Sequence, residues 1–376
     1  MTDPRNTELA RVFVEHSMRV QPKDKVVISA SDLIPIDIIR ETYKLCLQKG
    51  AYVYLDIMGF NFFLDRSSYG DLVRTFYDNA SEDQFNNPPE IYKAISEWGD
   101  KYIRITSLDN YSHLAGVDPV KLQWRAKASD KWFHHIIDEK DWVLTYYPTE
   151  AMAQQAGMSM SDLLDFYFNA TNVDYDAMEK DGDRIVKLMD KANTVRIIGE
   201  KTDLTIDITG RLAKNAAGSR NVPDGEVFLA PVHTNTTGHI YYDLPFARNG
   251  GEIEGAYLEF KDGKVVNASA EKGEAILMGG LDTDEGARYL GELGIGLNYG
   301  IQRVMKNTMF DEKIGGTVHV TLGKAYVTER GGNPDPATQN KSAIHWDLVK
   351  DMRKPGSRIE VDGKVMFEDG KWATNQ

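Results

Sequence analysis

Apolar residues in the first half of the chain fall into short runs separated by helical spacings. Leu9, Val12, Phe13 and His16 recur at the spacing of one helical face and predict an amphipathic helix at the N-terminus. Val26-Val27-Ile28-Ser29-Ala30 reads as a buried strand, Pro35 to Lys49 as a helix with Gly50 as its cap, and Tyr52 to Ile57 as a second strand. That sequence of elements is a βαβ unit. Tyr102 to Thr106 and Trp142 to Tyr146 repeat the apolar run between helical stretches, so the first half is predicted to be a parallel, doubly wound sheet covered by helices. The helical stretch from Ser161 carries Asp165-Phe166-Tyr167-Phe168, read as core or inter-domain packing, and Asp174 to Lys191 reads as a charged helix.

From about Val195 the period changes to two. Leu204 to Ile208 alternates, and two Asp-Gly pairs, Asp262-Gly263 and Asp362-Gly363, sit between alternating runs as type I′ hairpin turns. The second half is therefore expected to be a β-rich α+β domain, with a helix from Asp284 to Leu290. Gly291-Glu292-Leu293-Gly294-Ile295-Gly296-Leu297-Asn298 then reads as a glycine-rich turn holding a carboxylate. The boundary falls near residue 192: residues 1–192 form the α/β domain and residues 193–376 the β-rich one.

Length and charge narrow the function classes. A chain of 376 residues fits two cores, and a net charge of −13 repels phosphate backbones and anionic membranes while suiting cations, so nucleic acid and membrane are excluded as partners. No run approaches the ~18 apolar residues of a membrane span, the N-terminus lacks a secretory pattern, and the single Cys46 lies in an apolar helical pattern; a cytoplasmic location is expected. The first strand is followed by Ser31-Asp32-Leu33-Ile34-Pro35 in place of a glycine-rich phosphate loop, which argues against a dinucleotide.

Candidate chemistry gathers in the second half. Glu226, Glu292, His319, His345 and Asp347 form a mixed nitrogen and oxygen donor set able to hold one divalent ion, or two if a carboxylate bridges. In a strand, His345 and Asp347 share a face and Trp346 points away; His319 likewise shares its face with Thr317 and Thr321, either of which offers a supporting hydroxyl. Tyr326 offers a phenol to a metal or an oxyanion. Each residue alone also reads as a surface charge or a packed histidine. His113, His134 and His135 lack carboxylates at ligand spacing and are assigned structural roles, and His16 reads as a packed or surface histidine.

Gly225-Glu226-Val227-Phe228 with Ala230-Pro231, Gly291-Glu292 through Asn298, Gly316 to His319 with Tyr326, and His345-x-Asp347 together resemble the M29 family of metallopeptidases, the aminopeptidase T and aminopeptidase S group. The resemblance implies a two-domain, dimeric exopeptidase with two divalent ions (zinc, cobalt or manganese) that removes N-terminal residues from peptides. By that resemblance Glu226, Glu292, His319, His345 and Asp347 are metal ligands, Glu292 is also the general base, and Tyr326 is a ligand or oxyanion stabiliser. Two departures stand out. Where the family continues with an acid after Ala230-Pro231, this chain has Val232-His233-Thr234-Asn235-Thr236-Thr237-Gly238-His239, leaving His233 and His239 as extra site residues or loop residues. The spacing from His319 to His345 is also compact. The rival on the same fold is a mononuclear iron(II) ring-opening dioxygenase on a dihydroxypyridine-like small molecule, for which a histidine at position 292 is expected; a second rival is a catalytically silent metal-binding homologue.

Overall fold

The computed structural model describes residues 3–57, 70–248, 251–326 and 334–373. It divides into two compact units, residues 1–172 with 218–223, and residues 173–217 with 224–376.

The first unit holds a four-stranded parallel sheet of β1 (Lys25–Ala30), β2 (Tyr52–Ile57), β3 (Lys101–Ser107) and β4 (Asp141–Tyr147), in the order β2-β1-β3-β4. Its strands are the apolar runs of the sequence: Val26, Val27, Ile28, Ile103, Ile105 and Val143 are all fully buried, as a sheet covered on both faces requires. Helices Ile36–Gln48 and Pro119–Glu139 provide two of the crossovers. Strand order reverses between β1 and β3, where open α/β sheets place ligands. Here Ser31 Oγ lies 2.9 Å from Ser107 Oγ, and Ser107 Oγ donates to Asp32 Oδ1 at 2.6 Å, so a buried hydroxyl-carboxylate network ties the two strand ends together. Cys46 is buried and free on its helix, and burial pushes its thiol up to about 12. His113 Nδ1 faces the Asn110 carbonyl and His135 pairs with Glu139 one turn on, local roles in both cases. The side chain of His134 lies outside the described ones.

The second unit contains helix Tyr175–Met189 and three antiparallel sheets. An eight-stranded sheet takes β5 (Thr194–Gly199), β6 (Thr202–Asp207), β9 (Thr237–Tyr242), β12 (Ala256–Lys261), β13 (Lys264–Ser269), β17 (Arg358–Val361), β18 (Lys364–Glu368) and β19 (Lys371–Trp372). A two-stranded ribbon joins β10 (Phe246–Arg248) to β11 (Gly251–Ile253). A five-stranded sheet runs β16 (His345–Asp351), β15 (Thr317–Gly323), β14 (Leu290–Gly296), β8 (Glu226–Leu229), β7 (Lys214–Ala216). Both Asp-Gly turns are type I′: φ is +51° and +80° at Asp262 and Gly263, and +46° and +77° at Asp362 and Gly363.

One expectation fails. The stretch predicted as a helix over 284–290 and a glycine-rich turn over 291–298 is a short 3-10 turn, Glu285–Arg288, followed directly by β14. Asp284 caps that turn through the Ala287 N–H and also accepts from Ser342 Oγ and the Ala343 N–H, so its side chain favours a tight cap over a longer helix. The glycines belong to a central strand whose seven residues are all buried. Period-two alternation sends Leu293 and Ile295 into the core, together with Val227 and Leu229 of β8, Val318, Val320 and Leu322 of β15, and Trp346 and Leu348 of β16. The opposite face of the same four strands carries the polar candidates.

Candidate metal centre

Cross-strand register places the candidates on that face. Gly296 stands opposite Glu226, Gly294 opposite His319, Glu292 opposite Thr321, and Thr321 opposite Asp347; His345 stands opposite Gly323. Two groups of ligand atoms result, each lying within 4.8 Å: Glu226, Glu292 and His319, and Glu292, His345 and Asp347. Glu292 belongs to both. Tyr326 tilts its ring over His345 at 4.7 Å between centroids, bringing its phenol to the same end of the sheet.

His233 and His239 do not join either group. His233 lies in a 3-10 turn and meets Tyr289 edge-on at 5.6 Å; His239, on β9, lies tilted by 36° against Tyr257 at 5.8 Å between centroids.

The centre depends on a glycine for its shape. A Cβ built at Gly294 falls 1.9 Å from His319 Nε2 and 2.0 Å from Cε1, so the imidazole lies in the space that any larger residue at 294 occupies. By sequence alone the three glycines read as a bend; in the fold the middle one makes room for a histidine across the strand pair.

Hydrogen bonds aim both imidazoles. His319 Nδ1 lies 3.0 Å from the Glu312 carbonyl and His345 Nδ1 lies 2.7 Å from the Lys324 carbonyl, which directs each Nε2 to the carboxylates. His319 Nε2 lies 3.2 Å from Glu292 Oε1 and 3.3 Å from Glu226 Oε2; His345 Nε2 lies 3.2 Å from Asp347 Oδ1. Thr321 Oγ1 donates to Asp347 Oδ1 at 2.6 Å, so Thr321 supplies the supporting hydroxyl, while Thr317 bonds the Ile314 carbonyl.

This donor set fits a divalent cation. With Nδ1–H donating to a carbonyl, a neutral His319 turns a lone pair toward two carboxylate oxygens, and Glu226 Oε2 is buried without a hydrogen bond. Acceptors converge there and none of these atoms donates, an arrangement that a cation or a proton must resolve. The electrostatics carry the same signal. Burial lowers His319, but Glu292, Glu226 and Glu312 overcome it and push the imidazole up to about 9. His345, likewise opposed by burial, is raised to about 10 by Asp347 and Glu292. Burial raises Glu292 against the pull of both histidines, whereas His345 holds Asp347 well below the usual carboxylate range despite burial.

Sequence reasoning passed over Lys313. Its side chain is fully buried, with Nζ 2.9 Å from Glu226 Oε1, 2.5 Å from Glu312 Oε1 and 3.8 Å from Asp224 Oδ1. In sequence, Asp311-Glu312-Lys313 is a charged run of the kind that lies on surfaces. Only the fold turns it inward.

Comparison with known proteins is consistent with this geometry. The sequence profile of the thermophilic metalloproteases (M29) matches residues 2–372. Aminopeptidase 2 of Geobacillus stearothermophilus is 27% identical over 416 residues, covering 97% of this chain and 96% of that protein. Aminopeptidase T of Thermus thermophilus is 26% identical, covering 97% of this chain and 96% of its own. Among solved structures, wild-type AmpT from Thermus thermophilus superposes with a TM-score of 0.79 at 23% identity, over 98% of this chain and 99% of that one. The 2,5-dihydroxypyridine dioxygenase from Pseudomonas putida KT2440 shares the fold with a TM-score of 0.55 at 14% identity, over 99% of this chain and 98% of that one.

Proposed function

Because this chain belongs to the M29 family of metallopeptidases, we propose that it is a metal-dependent aminopeptidase, a hydrolase that removes N-terminal residues from peptides. The observation that carries the reading is the pair of ligand groups sharing Glu292. Glu226, Glu292, His319, His345 and Asp347 would together hold one divalent ion or two, with Glu292 within reach of both groups. Zinc, cobalt and manganese all accept this mixture of imidazole and carboxylate. When bound, such ions acidify a water and polarise a carbonyl.

The chain's own residues do the rest. Glu292, buried between the two ligand groups, is placed to accept a proton from the attacking water and pass it to the leaving amine. Glu226 and Asp347 hold the two outer positions, Thr321 keeps Asp347 turned inward, and the two carbonyl-bonded imidazoles hold Nε2 in place. Tyr326 lies over His345 and donates its phenolic hydrogen to the developing oxyanion.

The dioxygenase reading calls for a histidine at 292, where this chain has Glu292. A likeness at 14% identity concerns the fold alone. Metal analysis of the purified protein, with an anaerobically iron-loaded sample alongside and a peptide panel as substrate, tests the proposal. Two zinc-class ions per chain and release of N-terminal residues are expected; one iron with oxygen uptake and ring opening overturns it.

A homodimer is inferred from the family, and sedimentation equilibrium is expected to give twice the 42.3 kDa chain mass; a 42.3 kDa species alone rejects it. No helix among the described residues is long and apolar enough to cross a membrane, and the single cysteine is buried and free. A reducing, cytoplasmic setting is proposed from that thiol; fractionation placing the protein outside the cytoplasm rejects it.

A further inference from the structure

Lys313 is the one described lysine or arginine that contacts a carboxylate of the candidate ligand groups. Its contacts divide Glu226 in two. Oε1 accepts from Nζ at 2.9 Å, while Oε2 faces His319 Nε2 at 3.3 Å. A carboxylate held this way offers a cation one oxygen, and its second is occupied by an ammonium that cannot leave, since Lys313 is fully buried and also grips Glu312 and Asp224. The neighbourhood is rich in negative charge: Asp224, Glu226, Glu292, Glu312 and Asp347 all have side chains no more than 15% exposed. A fixed cation in low dielectric acts strongly on any second cation nearby, repelling it directly and sharing its carboxylates.

We infer that Lys313 is a positioning residue: it pins Glu226 through Oε1, leaves Oε2 as the single ligand atom, and loosens the hold of the Glu226–His319 side on its ion. The inference rests on the metal-centre reading above and deepens it. It assigns a purpose to an otherwise costly buried charge, namely keeping one half of a strongly acidic centre from binding its ion too tightly.

The test compares zinc-stripped wild type with Lys313→Met and Lys313→Gln. Each is titrated with zinc(II) against a competing chelator at constant pH, and thermal unfolding is followed with and without zinc. Removing the charge is expected to lower one of the two zinc dissociation constants at least ten-fold, leave the other within about three-fold, and enlarge the zinc-induced rise in Tm. Lys313→Gln keeps a polar side chain, one bond shorter, but lacks the charge, so a tightened constant in both variants supports the inference. Asp224→Asn, which removes a carboxylate that Lys313 now shares, is expected to move one constant the opposite way, several-fold weaker. That variant decides the matter if the Lys313 variants do not fold. A folded Lys313→Met protein with equal or weaker zinc affinity overturns the inference, as does an Asp224→Asn protein with unchanged affinity. A wild-type protein that binds no zinc removes the metal-centre reading itself and this inference with it.

Discussion

Substituting Gly294 with alanine tests the architecture of the centre without touching a proposed ligand. The added methyl falls 1.9 Å from His319 Nε2, 2.0 Å from Cε1 and 2.8 Å from Cδ2, about 1.5 Å short of ordinary van der Waals contact at the nearest atom. His319 cannot yield by that much in place. Its ring is fully buried, its Nδ1 is tied to the Glu312 carbonyl at 3.0 Å, and its backbone pairs on both sides with β14 and β16. Either the imidazole leaves its rotamer or β14 separates from β15. Overpacking of this kind costs ~1–3 kcal/mol, and for a unit of roughly 200 residues each kcal/mol lowers Tm by about 2–4 °C, so a fall of roughly 2–12 °C is expected. The functional loss is larger, because displaced Nε2 removes one donor from the Glu226–Glu292–His319 group. Even disturbing an outer partner of a ligand costs about 10–100-fold in metal affinity, so loss of one ion at micromolar zinc is expected. Metal counting by mass spectrometry on dialysed protein, beside thermal unfolding and release of N-terminal residues, reads all three effects. A Gly294→Ala protein that keeps two ions, wild-type Tm and full turnover refutes the cradle.

Other changes have narrower readouts. Glu292→Gln is expected to lower kcat by at least about 100-fold while unfolding as wild type does; a fully active variant removes Glu292 as the base. Thr321→Val deletes the 2.6 Å hydroxyl bond to Asp347 Oδ1 and is expected to weaken zinc binding about 10–100-fold, measured by chelator competition; unchanged affinity shows that Asp347 needs no such support. In metal-free protein, His319 and His345 are raised to about 9 and about 10, above the ~6.5 of an unfolded imidazole. Their protonated forms therefore contribute stability fully below about pH 6.5, and that contribution is lost as pH rises through 9 and then 10. Denaturant unfolding of stripped protein is expected to show falling stability from pH 7 to 10 while zinc affinity climbs as those protons leave; flat stability over that range contradicts the pairing.

What was legible in the sequence followed periodicity and turn chemistry. The parallel strands announce themselves because a sheet buried on both faces needs continuous apolar runs, and the Asp-Gly hairpins because only a few residues accept two successive positive φ angles. His345 and Asp347 were legible as a pair because strand alternation is local. What stayed hidden depended on partners distant in sequence. Gly291, Gly294 and Gly296 look like a bend until β15 and β8 flank them, since glycine lacks a side chain to show which face is crowded. Lys313 looks exposed until Glu226, 87 residues earlier, is brought against it. The tie from Thr321 to Asp347 is likewise a matter of register, which no single strand reveals.

The identity of residue 292 bears on the chemistry through charge. Asp224, Glu226, Glu292, Glu312 and Asp347 bring five carboxylates to this face, and Lys313 offsets one of them. With both histidines neutral, as ligation demands, a formal charge of about −4 remains in a largely buried setting, where uncompensated charge is expensive. One divalent ion leaves half of it, and two divalent ions cancel it. A histidine at 292 would remove one negative charge and the only residue common to both ligand groups, which suits a single ion of the facial-triad type. On the function proposed above, Glu292 keeps the charge that two ions would balance and is the carboxylate placed to move a proton. The hydrolytic reading and the two-ion reading therefore both rest on Glu292, and an enzyme found with one ion and full peptidase activity would separate them.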